Sequence, residues 1–347
     1  MATAARTSAT RISGYPAANL RFDWLMAGLA FLFIIGLHLD GWAHNHGRVD
    51  ETFFTPWHAV LYGSFGLVGL ALVVTQFRNV SQGYSFTQAL PRGYGLALVG
   101  VLIFGLSGGL DFVWHDLFGF EPDLEALMSP AHMALATGAF LFISAPLRAV
   151  WSRKQATGWR ELAPAIISLT LLLAFFSFFT QYANYLNYPE WLIERRYTGD
   201  ELLQIVRYGG IFLQSAFVSG LLLFGLRRWQ LPVGTVTLML TVSALLYFWM
   251  RNQFIAPYPL TIAAPIIAGI LLDSLLLALR PSGVRIGAVR LFAFLTPAIL
   301  ILTYFAITIA AYGIIWSIHM WLGAVFIAGL VGLGMSYLVF PPVIETE

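Results

Sequence analysis

The chain contains no cysteine in 347 residues, which removes disulfides, thiolate metal sites, iron–sulfur clusters and cysteine nucleophiles together. Any metal it binds must be held by His, Asp, Glu or backbone oxygen. Charge is equally scarce: Asp, Glu, Lys and Arg make up 10% of the residues against 59% hydrophobic ones, too little to cover a water-facing surface. The mean hydropathy is +0.76, the value of a chain whose solvent is largely lipid. The net charge of +2 comes with no basic cluster and no nucleic-acid motif, so the expected partner is the lipid bilayer and no nucleic-acid partner is expected. The first 22 residues are polar, lack a short apolar stretch followed by a small-residue cleavage site, and read as a cytoplasmic tail.

What the chain has in abundance is long apolar runs. A helix needs about 20 apolar residues to cross the hydrocarbon core, and such runs fall near 23–43, 56–76, 94–117, 131–150, 162–185, 208–226, 232–250, 258–279, 291–311 and 314–338. The expected fold is an all-α polytopic transmembrane bundle of about ten spans, the weakest division being at Tyr312 and Gly313. Orientation follows from positive charge, which is retained on the cytoplasmic side. With the N-terminus inside, fourteen of the 19 Lys and Arg residues fall in inner segments, which predicts both termini cytoplasmic. The chain divides into the 1–22 tail, a 23–150 module of two helical hairpins, and 151–347, further spans with no assigned role.

The two hairpins carry an internal repeat. Leu39-Asp40-x-x-x-His44 with Thr55-Pro56-x-His58-x-x-Leu61 matches Leu110-Asp111-x-x-x-His115 with Ser129-Pro130-x-His132-x-x-Leu135. Residues four apart share one helical face, so Asp40 with His44, and Asp111 with His115, can meet one cation. The second His follows a Ser/Thr-Pro helix start, where the hydroxyl caps the helix and proline suits the first turn. Each hairpin thus offers two imidazoles and one carboxylate, a set suited to copper, zinc or non-haem iron and poor for calcium or magnesium. Ionisable groups at membrane depth are costly unless paired. The expected metal ligands are therefore Asp40, His44, His58, Asp111, His115 and His132, as two mononuclear sites or one shared cluster.

Other polar residues are weaker candidates. His38 and His46 flank the first triplet as ligands or as partners orienting the imidazoles. Asp50 and Glu51 read as solvated loop charge. His319, between Trp316 and Trp321, reads as interfacial packing. Asp273 is an intramembrane carboxylate expected to pair with Arg280 or Arg285. The stretch Gln181-Tyr182-Ala183-Asn184-Tyr185 either lines a chamber or snorkels to the interface, the second being expected.

The stretch Asp40-Gly-Trp-Ala-His44, continuing through Val49-Asp50-Glu51-Thr-Phe-Phe-Thr55-Pro56-Trp-His58 to Leu61-Tyr62-Gly63-Ser64-Phe65, resembles the C subunit of the copper membrane monooxygenases, the particulate methane and ammonia monooxygenases. The resemblance covers about the first half of the chain. It implies copper at Asp40, His44 and His58, a trimer, other membrane subunits and an external electron donor. In that family a second site is built from Asn-x-x-x-His and a later His; here Asp111 stands in place of Asn and the gap between His115 and His132 is longer. The added negative charge favours a divalent cation over Cu(I).

Three functions follow from these features. One is copper-dependent oxidation of a small or apolar substrate near the outer face, by a monooxygenase or monooxygenase subunit, with one or two copper ions. The second is zinc-dependent hydrolysis with Asp50 or Glu51 as base. The third is non-catalytic metal binding or complex assembly. In each case the expected location is integral, in a prokaryotic plasma membrane, with the metal sites on the extracytoplasmic side.

Overall fold

The computed structural model describes residues 12–48, 54–119 and 125–342. Among these residues the chain is all-helical. The principal helices are α1 (Leu20–Asn45), α2 (Pro56–Ser81), α3 (Gly95–Phe118), α4 (Pro130–Ile143), α5 (Ala145–Trp151), α6 (Gly158–Phe179), α7 (Glu201–Arg228), α8 (Thr235–Met250), α9 (Ala263–Leu279), α10 (Ile286–Tyr312) and α11 (Ile318–Val339). With α4 and α5 taken together, nine helical segments are long and apolar enough to cross a membrane. The exception is α8, whose 16 residues span about 24 Å, less than the ~30 Å of a hydrocarbon core.

Local chemistry explains most boundaries. Asn19 caps α1 by accepting the N–H groups of Arg21 and Phe22, and Asp200 caps α7 through Leu203. Gly313 ends α10 with φ +73°, a conformation glycine adopts without steric cost, which makes a real break where the sequence shows only a weak one. Ser144 interrupts the fourth apolar run. Its hydroxyl turns back to the Phe140 carbonyl and receives Arg148, and Pro146 then starts α5.

The hairpins α1/α2 and α3/α4 are each closely packed. At the second crossing, Gly100 and Gly138 face each other. A Cβ on Gly138 would lie 2.7 Å from the Gly100 carbonyl oxygen, so the two backbones meet because neither position has a side chain. Away from this contact α2 and α3 present apolar stripes, including Leu70, Val74 and Phe77 on α2 and Leu102, Leu106, Leu110, Val113 and Leu117 on α3. This is the surface hydrocarbon wets. Between the hairpins Phe33, Phe65, Phe104 and Phe142 form one aromatic cluster, with centroids 4.5 to 6.3 Å apart. Helix α6 is buried along most of its length and packs on α1, α5 and α8. The hydrophobic core is therefore continuous from the first two hairpins into 151–347.

At one end of the bundle Asp23 accepts Tyr94 Oη at 2.8 Å and pairs with Arg153. Burial disfavours the charge on the Arg153 guanidinium and draws its pKa down. The expected partner of Asp273 needs correction. Its carboxylate accepts the backbone N–H groups of Val236 and Thr237 and the Thr237 hydroxyl, not Arg280 or Arg285. The positive end of a helix dipole and three donors at α8 satisfy it in place of a guanidinium.

Candidate metal centres

Both triplets assemble at one end of the bundle, where α1 gives way to α2 and α3 to α4. On α1 the four-residue spacing stacks His44 over Asp40, with Nε2 3.9 Å from Oδ2. Thr55 caps α2 by accepting the His58 N–H, and proline at the first turn fixes the helix start. That start brings His58 Nε2 to 3.2 Å from Asp40 Oδ1. In the second hairpin Ser129 and Pro130 do the same for α4. Asp111 Oδ1 then lies 3.6 Å from His115 Nε2 and 3.6 Å from His132 Nδ1. In each set one donor atom per residue can be chosen so that all lie within 4.8 Å of one another. Donors bound at ~2.0–2.2 Å to a four-coordinate first-row ion are separated by about 3 to 4 Å, so side-chain movements of an ångström or so close either set.

The sites differ in depth. Side-chain exposure is 15% for Asp40 and 40% for His44, against 5% for Asp111 and 10% for His115. The second carboxylate is the drier and the more dependent on a positive partner, while the order reverses at the remaining imidazoles, 12% for His58 against 28% for His132. Ring orientation fits this need. His115 Nδ1 lies 3.2 Å from the Gly119 carbonyl, which can only accept, so the proton sits on Nδ1. In the neutral ring Nε2 then turns its lone pair toward Asp111. Two acceptors facing each other are reconciled by a cation or a shared proton, and a His anchored through its other nitrogen to a carbonyl is the usual arrangement of a metal ligand. Ser129 Oγ is 2.7 Å from His132 Nδ1 and holds that ring at the helix start.

The remaining histidines point elsewhere. His38 is fully buried on another face of α1, with Nδ1 donating to the Ile34 carbonyl at 2.9 Å and the ring edge-on to Phe178. His46 donates from Nδ1 to the Trp42 carbonyl and meets Asn252 through Nε2. His319 is exposed on α11. None of the three belongs to either set. Asp50 and Glu51 lie outside the described residues.

A polar network beside the first site was barely signalled along the chain. Asn45, at the end of α1, donates to Gln181 Oε1 at 3.0 Å. Arg251, 6% exposed, bonds Asn45, Gln181 Oε1, Asn187 Oδ1 and the Tyr188 hydroxyl. Arg207 donates to the carbonyls of Tyr185, Asn187 and Tyr188 and to Tyr304 Oη. Gln181, Asn184 and Tyr185 are therefore buried, contrary to the expected snorkelling, while Tyr182 alone of that polar group is exposed. Satisfying two buried guanidiniums outweighs hydrating these side chains. The available signal was charge at the margin of an apolar run, since Arg207 and Arg251 directly flank spans.

Fold and sites together define a class: an all-helical, membrane-type bundle bearing two repeated Asp/His/His clusters at one end. No protein-family model, curated protein or solved structure matches the chain.

Proposed function

We propose that this chain is a membrane metalloprotein of oxidative type, in which Asp40, His44 and His58 hold copper and Asp111, His115 and His132 hold a second metal ion. The observation that carries the reading is the repeated convergence of two imidazoles and one carboxylate, with donor atoms within 4.8 Å in each set. The donor set admits copper, zinc or iron, and resemblance of the first motif to the copper membrane monooxygenase C subunit favours copper. Copper bound there supplies the redox chemistry by which dioxygen oxidises a small or apolar substrate.

The chain's own residues fit that work. Imidazole and carboxylate bind the ion, the Gly119 carbonyl and Ser129 orient the second pair of rings, and the Phe cluster between the hairpins keeps the space beneath the sites apolar. Electrons come from an external donor, because a chain without cysteine or a haem motif carries no relay of those kinds. The Lys and Arg distribution supports ten spans, cytoplasmic termini, and sites on the extracytoplasmic side of a prokaryotic plasma membrane. Close glycine-mediated packing and the family resemblance favour a homo-oligomer or a complex with other membrane subunits.

Elemental analysis of detergent-purified protein, beside His58→Ala and His132→Ala, tests the reading. One to two copper ions per chain, lowered separately by the two substitutions, is the expected result. Stoichiometric zinc moves the function to hydrolysis, and no metal after reconstitution ends the metalloprotein reading.

A further inference from the structure

The two repeats are not interchangeable where they meet. Four residues after the second His, the first repeat has Tyr62 and the second has Ala136; three residues before the Asp, the first has Leu37 and the second has Gly108. The first repeat is thus large at both positions and the second small at both. The structure shows the consequence. Tyr62 leaves α2 one turn from His58, with ring centroids 6.1 Å apart, and lies against α3 at Gly108. A Cβ there would stand 3.0 Å from Tyr62 Cε1 and 3.3 Å from its hydroxyl oxygen. Gly108 is one turn from Asp111, so the absent side chain admits the phenol beside the second carboxylate. Phe104 closes the other side of the ring at 5.9 Å.

We infer that Tyr62, carried by the first hairpin, is a positioning residue for the second metal site, its hydroxyl serving as an outer hydrogen-bond donor to the Asp111 carboxylate. A Tyr hydroxyl can donate to one carboxylate oxygen and leave the others to the metal. In a largely buried setting this restrains the carboxylate's rotation and its ligating angle. The pseudo-repeat therefore yields one linked unit, because the polar side chain supplied by the first hairpin fills a gap left by the second.

This inference rests on the proposed metal binding, and the experiment separates the two. Metal affinity is measured by competition with a chromogenic chelator in the His132→Ala background, which isolates the first site, and in the His58→Ala background, which isolates the second. Tyr62→Phe keeps the ring and removes only the oxygen. Loss of an outer-sphere partner costs about 10- to 100-fold in metal affinity, so tenfold or greater weakening is expected in the His58→Ala background and little change in the His132→Ala background. A shift of the Cu(II) paramagnetic resonance parameters at the second site is expected with it, a change that a purely structural ring does not produce. Gly108→Ala, which retains the hydroxyl but crowds the ring, gives an independent displacement with the same expected direction and carries the test where Tyr62→Phe fails to fold. Unchanged affinity at the second site, or equal weakening at both, overturns this role while leaving two metal sites standing. Absence of metal from the wild type removes both readings.

Discussion

His46 Nε2 meets the side-chain amide of Asn252 at 2.6 Å, across 206 residues of sequence. The end of the helix that carries Asp40 and His44 is thereby fastened to the turn that follows α8, and the role of His46 is to hold that helix in place. His46→Ala is expected to keep the full metal complement while lowering stability by about 1 kcal/mol, the usual net value of one hydrogen bond. His44→Ala, two residues earlier, is expected to lose metal at the first site. Metal content and thermal unfolding of the two variants side by side make the check, and loss of metal in His46→Ala would return that residue to the ligand list.

Arg251 binds four polar side chains, of which Gln181 and Asn187 are buried and Asn45 and Tyr188 half-buried. Replacing it with Leu removes the donor from Asn45 Oδ1 and Asn187 Oδ1, while Gln181 Oε1 keeps Asn45, and each buried group left unsatisfied costs about 1–3 kcal/mol. A loss of at least about 2 kcal/mol is expected in detergent-monitored unfolding. Lys in its place is expected to recover only part, because a point ammonium cannot span several acceptors as a planar guanidinium does.

Gly138 and Gly100 set the spacing of the second hairpin, and so the distance at which His132 faces Asp111. Gly138→Val is expected to destabilise by about 1–3 kcal/mol through overpacking and to release metal from the second site before the first. Metal content of this variant against the corresponding His58→Ala and His132→Ala proteins distinguishes the two sites. Equal loss from both contradicts the placement of this contact in the second hairpin.

Glu190, in the connection between α6 and α7, has Oε2 buried with no hydrogen-bond partner among the described residues. Burial raises its pKa, partly offset by a backbone hydrogen bond and by Arg207. A carboxyl group whose folded pKa lies above its unfolded value binds more protons in the folded state. Its presence therefore lowers stability as pH rises from the unfolded value through the folded one. Glu190→Gln is expected to raise the melting temperature near pH 7, and the advantage is expected to shrink as pH falls below about 4, where the carboxyl is protonated in both states. An advantage independent of pH would assign the effect to packing.

The helical layout was legible because lipid imposes a simple condition: the backbone must satisfy itself over about 20 residues. The apolar runs near 23–43 and 56–76 became α1 and α2 with ends shifted by a few residues. The ligand triplets were legible for a different reason. Asp40 and His44 lie on one helical face by periodicity, and Thr55-Pro56 and Ser129-Pro130 announce helix starts by their own chemistry, so each hairpin's convergence followed from local rules.

Those rules stop at the edge of a single helix. From its residues alone the chain determined an all-helical membrane-type architecture, the absence of thiol chemistry, and two Asp/His/His sets at corresponding points of a repeat. Only tertiary structure decided that His38 turns to Phe178 and His46 to Asn252, that Asp273 caps α8, that Arg251 gathers Asn45 and Asn187, and that Tyr62 enters the space beside Gly108. Each of these is a choice of partner among residues tens to hundreds of positions apart. It is made by which helix faces pack and by the cost of leaving a buried polar group unsatisfied, neither of which periodicity along one helix can express.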